Sequence, residues 1–272
     1  MIVDGRAIAT DILAHVRRDV EVLGKTPTVC AIAMRPSAAT RSYLATKKAR
    51  AEQASMKLEV VEVPEEGNTE DVINVIEKSS ADALLVQLPL PDRIDRVSVL
   101  NTIPLAKDAD VLSHVAYERF DSELAGALMP PVAAAVKEIL HRTGVNPKGK
   151  KVAIVGNGSL VGRPSAVWLM HQGAQVTVVT RERQADLPSV LKDADIVISG
   201  AGVAGIITPD MIKEGVVLID AGTSESNGQL AGDMDPSCAE KASVFTPVPG
   251  GVGPIAVAML FRNVQKLLKT KE

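Results

Sequence analysis

Lys151-Val152-Ala153-Ile154-Val155-Gly156-Asn157-Gly158-Ser159-Leu160-Val161-Gly162-Arg163-Pro164 is the stretch that decides the fold. Its first five residues form an apolar, β-branched run, read as a buried strand, which passes directly into a glycine-rich turn and a helical pattern over 161–172. Glycines in such a turn let the backbone approach a pyrophosphate, and the N-terminus of the next helix offers free N–H groups to hold it. A plain tight turn also wants glycine, and the spacing here is GxGxxxG rather than GxGxxG. Context favours the cofactor reading. About twenty residues on, the next run ends at Val178-Val179-Thr180-Arg181-Glu182-Arg183, where a dinucleotide fold selects its ribose. An acid there accepts the 2′-hydroxyl of NAD, whereas arginines neutralise the 2′-phosphate of NADP. Arg181 comes first and favours NADP; Glu182 competes, and a solvated helix start would carry the same charges. Ser199-Gly200-Ala201-Gly202, after the third run, puts small residues where a nicotinamide nucleotide passes close to the backbone.

The alternation continues outward from that unit. Strands are predicted at 175–179, 196–199, 216–219 and 244–246, with helices over 132–142 and 187–192. The first half repeats the pattern, with strands at 29–34, 58–63 and 83–87 and helices over 42–55 and 69–78. A helix over 6–23 carries Ile8, Ile12, Leu13, Val16 and Val20 on one face. A last apolar-periodic helix over 252–268 is able to pack back on the first domain. Strands alternating with helices imply parallel sheets covered by helices. The expected fold is therefore α/β in two domains, an N-terminal three-layer α/β domain and a C-terminal Rossmann-like parallel-sheet domain. Their expected bounds are 1–125 plus 254–272, and 126–253, with the hinge in the polar segment before Pro130-Pro131.

Composition narrows the function. A length of 272 residues suggests roughly two domains, and 46% hydrophobic residues with only Phe 3, Trp 1 and Tyr 2 leave Ala, Val, Ile and Leu to build the cores. Lys+Arg 30 against Asp+Glu 33 gives a net charge of -3, with no positive excess for a nucleic-acid partner. Cys30 and Cys238 lie far apart in sequence, and His15, His114, His141 and His171 are scattered, so neither a metal site nor a hydrolase triad is expected. Asp4 stands where a signal peptide needs basic residues, and no apolar run is long enough to span a bilayer. A cytoplasmic protein without a membrane partner is the expectation.

In the first half, Tyr43 and Lys47 are four apart on a predicted helix and share a face. A lysine beside a phenol in a cleft has its pKa lowered by desolvation and can manage protons or position water, although an ordinary solvated helix carries such residues too. Gln87-Leu88-Pro89-Leu90-Pro91 begins where a buried strand ends, the ligand-binding edge of open parallel sheets. The Gln87 carboxamide could orient Lys47 or bond a flat heterocycle. Lys107-Asp108-Ala109-Asp110 offers two carboxylates, either of which could face the cleft. Pro249-Gly250-Gly251-Val252-Gly253-Pro254 is a rigid turn suited to close contact with a ligand.

Taken in this order, these fragments, together with Gly232-Asp233-Met234-Asp235, resemble the bifunctional methylenetetrahydrofolate dehydrogenase/methenyltetrahydrofolate cyclohydrolase family. The resemblance spans nearly the whole chain. It implies two α/β domains facing across a cleft, usually in a homodimer, with tetrahydrofolate substrates on the first and NADP on the second. It implies Lys47 as the cyclohydrolase lysine, Tyr43 as the ring stacking on folate, Gln87 as the lysine's partner and Asp110 as the carboxylate anchoring the pterin. Leu88, Pro89, Pro249, Gly250 and Gly251 would join Tyr43, Gln87 and Asp110 in contacting substrate. Gly156, Asn157, Gly158, Ser159, Val161, Gly162, Arg181, Arg183 and Gly200 would bind the cofactor. The chain departs from the family pattern at Val111, where glycine is usual, at Leu128-Met129-Pro130-Pro131, at Ala256, and at Asn157-Gly158, which replace Arg-Ser. The stretch 34–40 also lacks the usual Gly-Asp-Pro. Other readings of the same residues are a shikimate-dehydrogenase-like oxidoreductase and a non-catalytic or monofunctional NADP-binding relative.

Overall fold

The structure is a computed structural model that describes all residues except 35, 227, 228 and 270–272, and all other side chains except those of 38, 39, 225, 226 and 229. Arg35, in the stretch that lacks Gly-Asp-Pro, thus lies outside the described residues.

The first half runs α1 (Gly5–Val22), β1 (Thr28–Met34), α2 (Ala38–Gln53), β2 (Lys57–Val63), α3 (Thr69–Lys78) and β3 (Ala83–Val86). The predicted alternation is present. In α1, Ile12, Leu13, Val16 and Val20 are buried, so the sequence stripe is the packed face. Helix α3 starts on a reciprocal cap, in which Asn68 accepts from the Asp71 N–H at 3.2 Å and the Asp71 carboxylate accepts from the Asn68 N–H at 2.8 Å. The strands form a parallel sheet in the order β2-β1-β3. Ile32, Leu84 and Val86 of the sheet pack with Val72 and Ile76 of α3.

Two short helices, α4 (Arg96–Thr102) and α5 (His114–Asp121), follow where the sequence pattern assigns no element. Each is about two turns long, too short to show a stripe, and each is started by a side-chain cap. Asp95 accepts from the N–H groups of Val97 and Ser98, and Ser113 accepts from that of Ala116.

The second half holds α6 (Pro131–Arg142), β4 (Lys151–Val155), α7 (Gly162–His171), β5 (Gln175–Val179), α8 (Leu187–Asp193), β6 (Ile196–Ser199) and β7 (Val217–Asp220). A small antiparallel pair, β8 (Ser224–Ser226) and β9 (Gln229–Ala231), precedes β10 (Val244–Phe245) and α9 (Val252–Lys269). The main sheet is parallel throughout, in the order β10-β7-β6-β4-β5. One of its cores is aliphatic, built from Ala153, Val155, Leu191, Val197 and Leu218 among others.

The chain divides into two compact units, Met1–Ala9 with Val132–Ala256, and Thr10–Pro131 with Val257–Glu272. The first residues join the five-stranded sheet because the Val3 N–H donates to Phe245 O at 2.9 Å and the Phe245 N–H donates to Met1 O at 2.9 Å. Helix α9 returns to the first sheet's unit, as its apolar face implied. There Asn263 Nδ2 donates to Ala109 O and Met129 O, both at 2.9 Å, and Gln265 Nε2 donates to Asp19 Oδ2 at 3.1 Å.

Phe261 of α9 is fully buried, at 0% exposure. Phe261→Ala is expected to lower unfolding stability by about 3–5 kcal/mol, read as a lower urea midpoint at unchanged slope.

Candidate functional site

Helix α2 begins at Ser37, whose hydroxyl accepts from the Thr40 N–H at 3.1 Å, and it carries Tyr43 and Lys47 one turn apart. Lys47 is only 6% exposed, unusual for a lysine. Its ammonium donates to Gln87 Oε1 at 3.0 Å and sits 4.7 Å from the centroid of the Tyr43 ring, within cation–π range. Gln87 is itself held. Its backbone N–H continues the sheet by donating to Ile32 O at 2.8 Å, and its Nε2 donates to Leu88 O at 2.8 Å, which turns the amide oxygen to the lysine. The Leu88–Pro89 bond that follows is cis.

The two acids of Lys107-Asp108-Ala109-Asp110 divide their roles. Asp108 is 1% exposed, and its carboxylate accepts from the N–H groups of Leu112 at 3.0 Å and Ser113 at 2.8 Å, so it builds the turn. Asp110 is half-buried and interacts electrostatically with Lys47 and Tyr43. Burial pushes its carboxyl above the usual range and Asp108 adds to this, while the Lys47 charge opposes it. Burial pushes Lys47 below the usual lysine range, against the pull of Asp110. Tyr43 has 43% of its surface exposed, yet loss of water around its phenol, with the Asp110 charge second, pushes it up to about 12. A buried amine, a neutral phenol and a carboxyl therefore meet in one place, with acid and base strengths drawn toward neutrality at the amine and carboxyl.

Val111 takes φ +57°, the left-handed region, and is buried. That conformation accounts for glycine in the family pattern. A β-branched residue there stores about 1–3 kcal/mol of strain, which the surrounding turn has to hold.

In the other unit, the turn after β4 behaves as the glycine pattern requires. Gly156 has φ +92°, and a Cβ on Gly162 would lie 2.0 Å from Gly156 O, so the start of α7 packs directly on the turn. No side chain caps α7; the Arg163 N–H at its start donates to Gly158 O at 3.1 Å, which closes the turn, and Pro164 carries no N–H. A cavity of ≈ 500 Å³ opens there, lined by Gly156, Asn157, Gly158, Arg181, Glu182 and Gly200 among others. Ser159 is exposed in the turn, and Val161 packs against Gly200, where a Cβ would lie 2.4 Å from its side chain. Arg181 lines the cavity, whereas Arg183 Nε donates to Asp186 Oδ2 at 3.0 Å. A hydrogen bond from the Thr180 side chain holds the Glu182 carboxyl below its usual range, and Arg181 adds to this.

Asp233, not singled out as a site residue from sequence, organises the wall of that cavity. It is fully buried, and its carboxylate accepts from the Ser199 hydroxyl at 2.6 Å and from the N–H groups of Ala201 at 2.7 Å, Gly202 at 3.3 Å and Val203 at 2.8 Å. Its own turn is fixed by Asp220, which accepts from the N–H groups of Gly222, Asp233 and Met234. The acid of Gly232-Asp233-Met234-Asp235 was the available signal, but its partners lie some thirty residues away. In the same unit the Val248–Pro249 bond is cis, Gly250 has φ +112°, and the buried Gly251 N–H donates to Pro247 O at 2.7 Å. Among the described residues no group of three or more His, Cys, Asp or Glu side chains is gathered to hold a metal ion.

Two family models match the chain: the tetrahydrofolate dehydrogenase/cyclohydrolase catalytic domain over residues 3–110, and the NAD(P)-binding domain of the same family over 130–272. The bifunctional protein FolD of Listeria innocua is 34% identical over 279 residues, covering 98% of this chain and 97% of that protein. The crystal structure of the FolD methylenetetrahydrofolate dehydrogenase/cyclohydrolase from Campylobacter jejuni superposes with a TM-score of 0.94 at 30% identity, over 100% of this chain and 99% of that one. The Trypanosoma brucei enzyme, complexed with NADP cofactor and inhibitor, gives 0.92 at 33% identity, over 100% and 98%.

Burial, opposed by the backbone N–H groups, raises the Asp220 carboxyl to about 6. A carboxyl raised on folding stabilises the native state fully below its unfolded pKa, and that contribution is lost as pH rises through the folded value. Carbon-13 NMR of the Asp220 carboxyl is expected to show a titration midpoint near 6, with native stability from this group falling between about pH 4 and 6; a midpoint at the ordinary aspartate value would refute the assignment.

Proposed function

The chain belongs to the tetrahydrofolate dehydrogenase/cyclohydrolase family, and from that premise we propose that it oxidises 5,10-methylenetetrahydrofolate to 5,10-methenyltetrahydrofolate with NADP and hydrolyses the product to 10-formyltetrahydrofolate. The observation that carries this reading is the buried Lys47, hydrogen-bonded to Gln87, set over Tyr43 and coupled to Asp110.

The two steps ask different things of the protein. Loss of hydride from the one-carbon bridge leaves a cation stabilised by both folate nitrogens, so the protein supplies alignment rather than a strong base. Tyr43 stacks on the folate ring and Asp110 anchors the pterin. Hydrolysis needs a water aimed at the methenyl carbon and a route for its protons. Lys47, drawn below the usual lysine range and oriented by the Gln87 oxygen, positions that water and manages the protons as the ring opens.

NADP, when bound, supplies the hydride acceptor. Its fit rests on the cavity lined by Gly156, Asn157, Gly158, Arg181 and Gly200, and on Gly158, where open space stands in place of a Cβ and lets a pyrophosphate approach the backbone. Arg181 takes the 2′-phosphate, in the absence of the arginine that Asn157 replaces. We place the enzyme in the cytoplasm as a homodimer that feeds one-carbon units to purine biosynthesis, without metal, nucleic-acid or membrane partner. Among the described residues no helix is long and apolar enough to cross a membrane. A shikimate-dehydrogenase-like reading has no counterpart for the match over 3–110, and a non-catalytic relative has no use for a lysine kept from water among these partners.

Incubation with 5,10-methylenetetrahydrofolate and NADP should produce reduced nicotinamide, and silence with both NADP and NAD removes the dehydrogenase activity. Lys47→Met is expected to slow hydrolysis of methenyltetrahydrofolate by roughly a hundredfold or more while dehydrogenation changes less; undiminished hydrolysis would exclude the role given to Lys47. Arg181→Ala should raise the KM for NADP about tenfold or more with little effect on NAD, and equal effects on both would reassign phosphate recognition.

A further inference from the structure

We propose that Asn263, on α9, is a positioning residue for Asp110, acting by holding Val111 in its left-handed conformation. The inference rests on the reading of Asp110 as the substrate anchor. Asn263 is 3% exposed and spends both Nδ2 hydrogens on two backbone carbonyls, Ala109 O and Met129 O, each at 2.9 Å. Ala109 is the residue immediately before Asp110. On the other side of Asp110, the carboxylate of Asp108 ties down the N–H groups of Leu112 and Ser113. The turn is therefore pinned at 109 and at 112–113, and the two residues between these pins are Asp110 and Val111.

Val111 is the point of strain. At φ +57° its branched side chain opposes the backbone, and the conformation persists only where its surroundings over-determine it. Of the two pins, Asp108 lies within the same turn, whereas Asn263 arrives from 154 residues away and fixes the turn against Met129 as well. Without its amide, two carbonyls lose their donors and the strain at Val111 is free to relax toward negative φ. Such a change rotates the peptide next to Asp110 and carries its carboxyl away from Lys47 and Tyr43. With glycine at 111 there is no strain to release, and the turn can keep its shape without the amide.

The test is hydrolysis of 5,10-methenyltetrahydrofolate by the full chain, followed by loss of methenyl absorbance, with KM and kcat separated and folding checked by circular dichroism. Asn263→Ala is expected to raise KM at least about tenfold with kcat changed less than about threefold, and adding Val111→Gly should bring KM back to within about threefold of the parent. A parental KM in Asn263→Ala, or a raised KM that Val111→Gly leaves in place, overturns the proposal. Should Asn263→Ala not fold, Asn263→Ser, which keeps one donor, is read by the same criteria. Asp110→Asn separates the two levels. If it leaves KM unchanged, the anchor reading fails; if it raises KM and the Asn263 variants do not, the positioning role alone fails.

Discussion

Strands β1, β3, β4, β6 and β7 of the two parallel sheets are buried on both faces, and the covering this requires arranges much of the rest of the molecule. Each sheet needs helical crossovers, and the crossovers send every strand of a sheet in one direction, so all its C-terminal ends share an edge. The chemistry-bearing residues follow those ends. Gln87 comes directly after β3, Gly156 after β4, Arg181 just past β5 and Gly200 after β6, while Asp220 is the last residue of β7. Two sheets of different size thus solve the same problem in the same way. Each presents its backbone termini and flanking side chains on one edge while the aliphatic strands carry the core.

Within the first unit, the cost of removing an ammonium from water sets the design. An isolated buried lysine would surrender its proton, and the partners around Lys47 limit that tendency without abolishing it. Gln87 offers an oxygen, Tyr43 a π face and Asp110 a charge. The result is an amine that can hold or release a proton as its surroundings change.

Much of this was legible in the sequence because it was local. The glycine turn after β4, the helical stripe of α1, the Tyr43 and Lys47 spacing and the Gln87 exit all depend on residues a few positions apart, and the structure places them as those patterns require. The short helices α4 and α5 left no stripe, and their existence rests on single caps at Asp95 and Ser113. Other features had no local trace. The Asp233 carboxylate is matched to N–H groups about thirty residues back, Met1 and Val3 bond to Phe245, and Asn263 reaches Ala109. Hydrogen bonds of such reach impose no period and no composition on the chain: Asp233 and Asn263 each supply one polar side chain to backbone partners, and the bonds of Met1 and Val3 to Phe245 join backbone to backbone and need none. Val111 shows the converse, since its departure from glycine was visible and yet its backbone angle was not.

The return of α9 also fixes an order of events in the cell. Residues 257–269 belong with the first sheet's unit, but they leave the ribosome only after the whole of 132–256 has been made. The earlier unit must wait, incomplete and with the apolar surface that will meet Phe261 uncovered, while the later one is already able to collapse. The first unit therefore gains its last helix only once every residue of the second has been added to the chain.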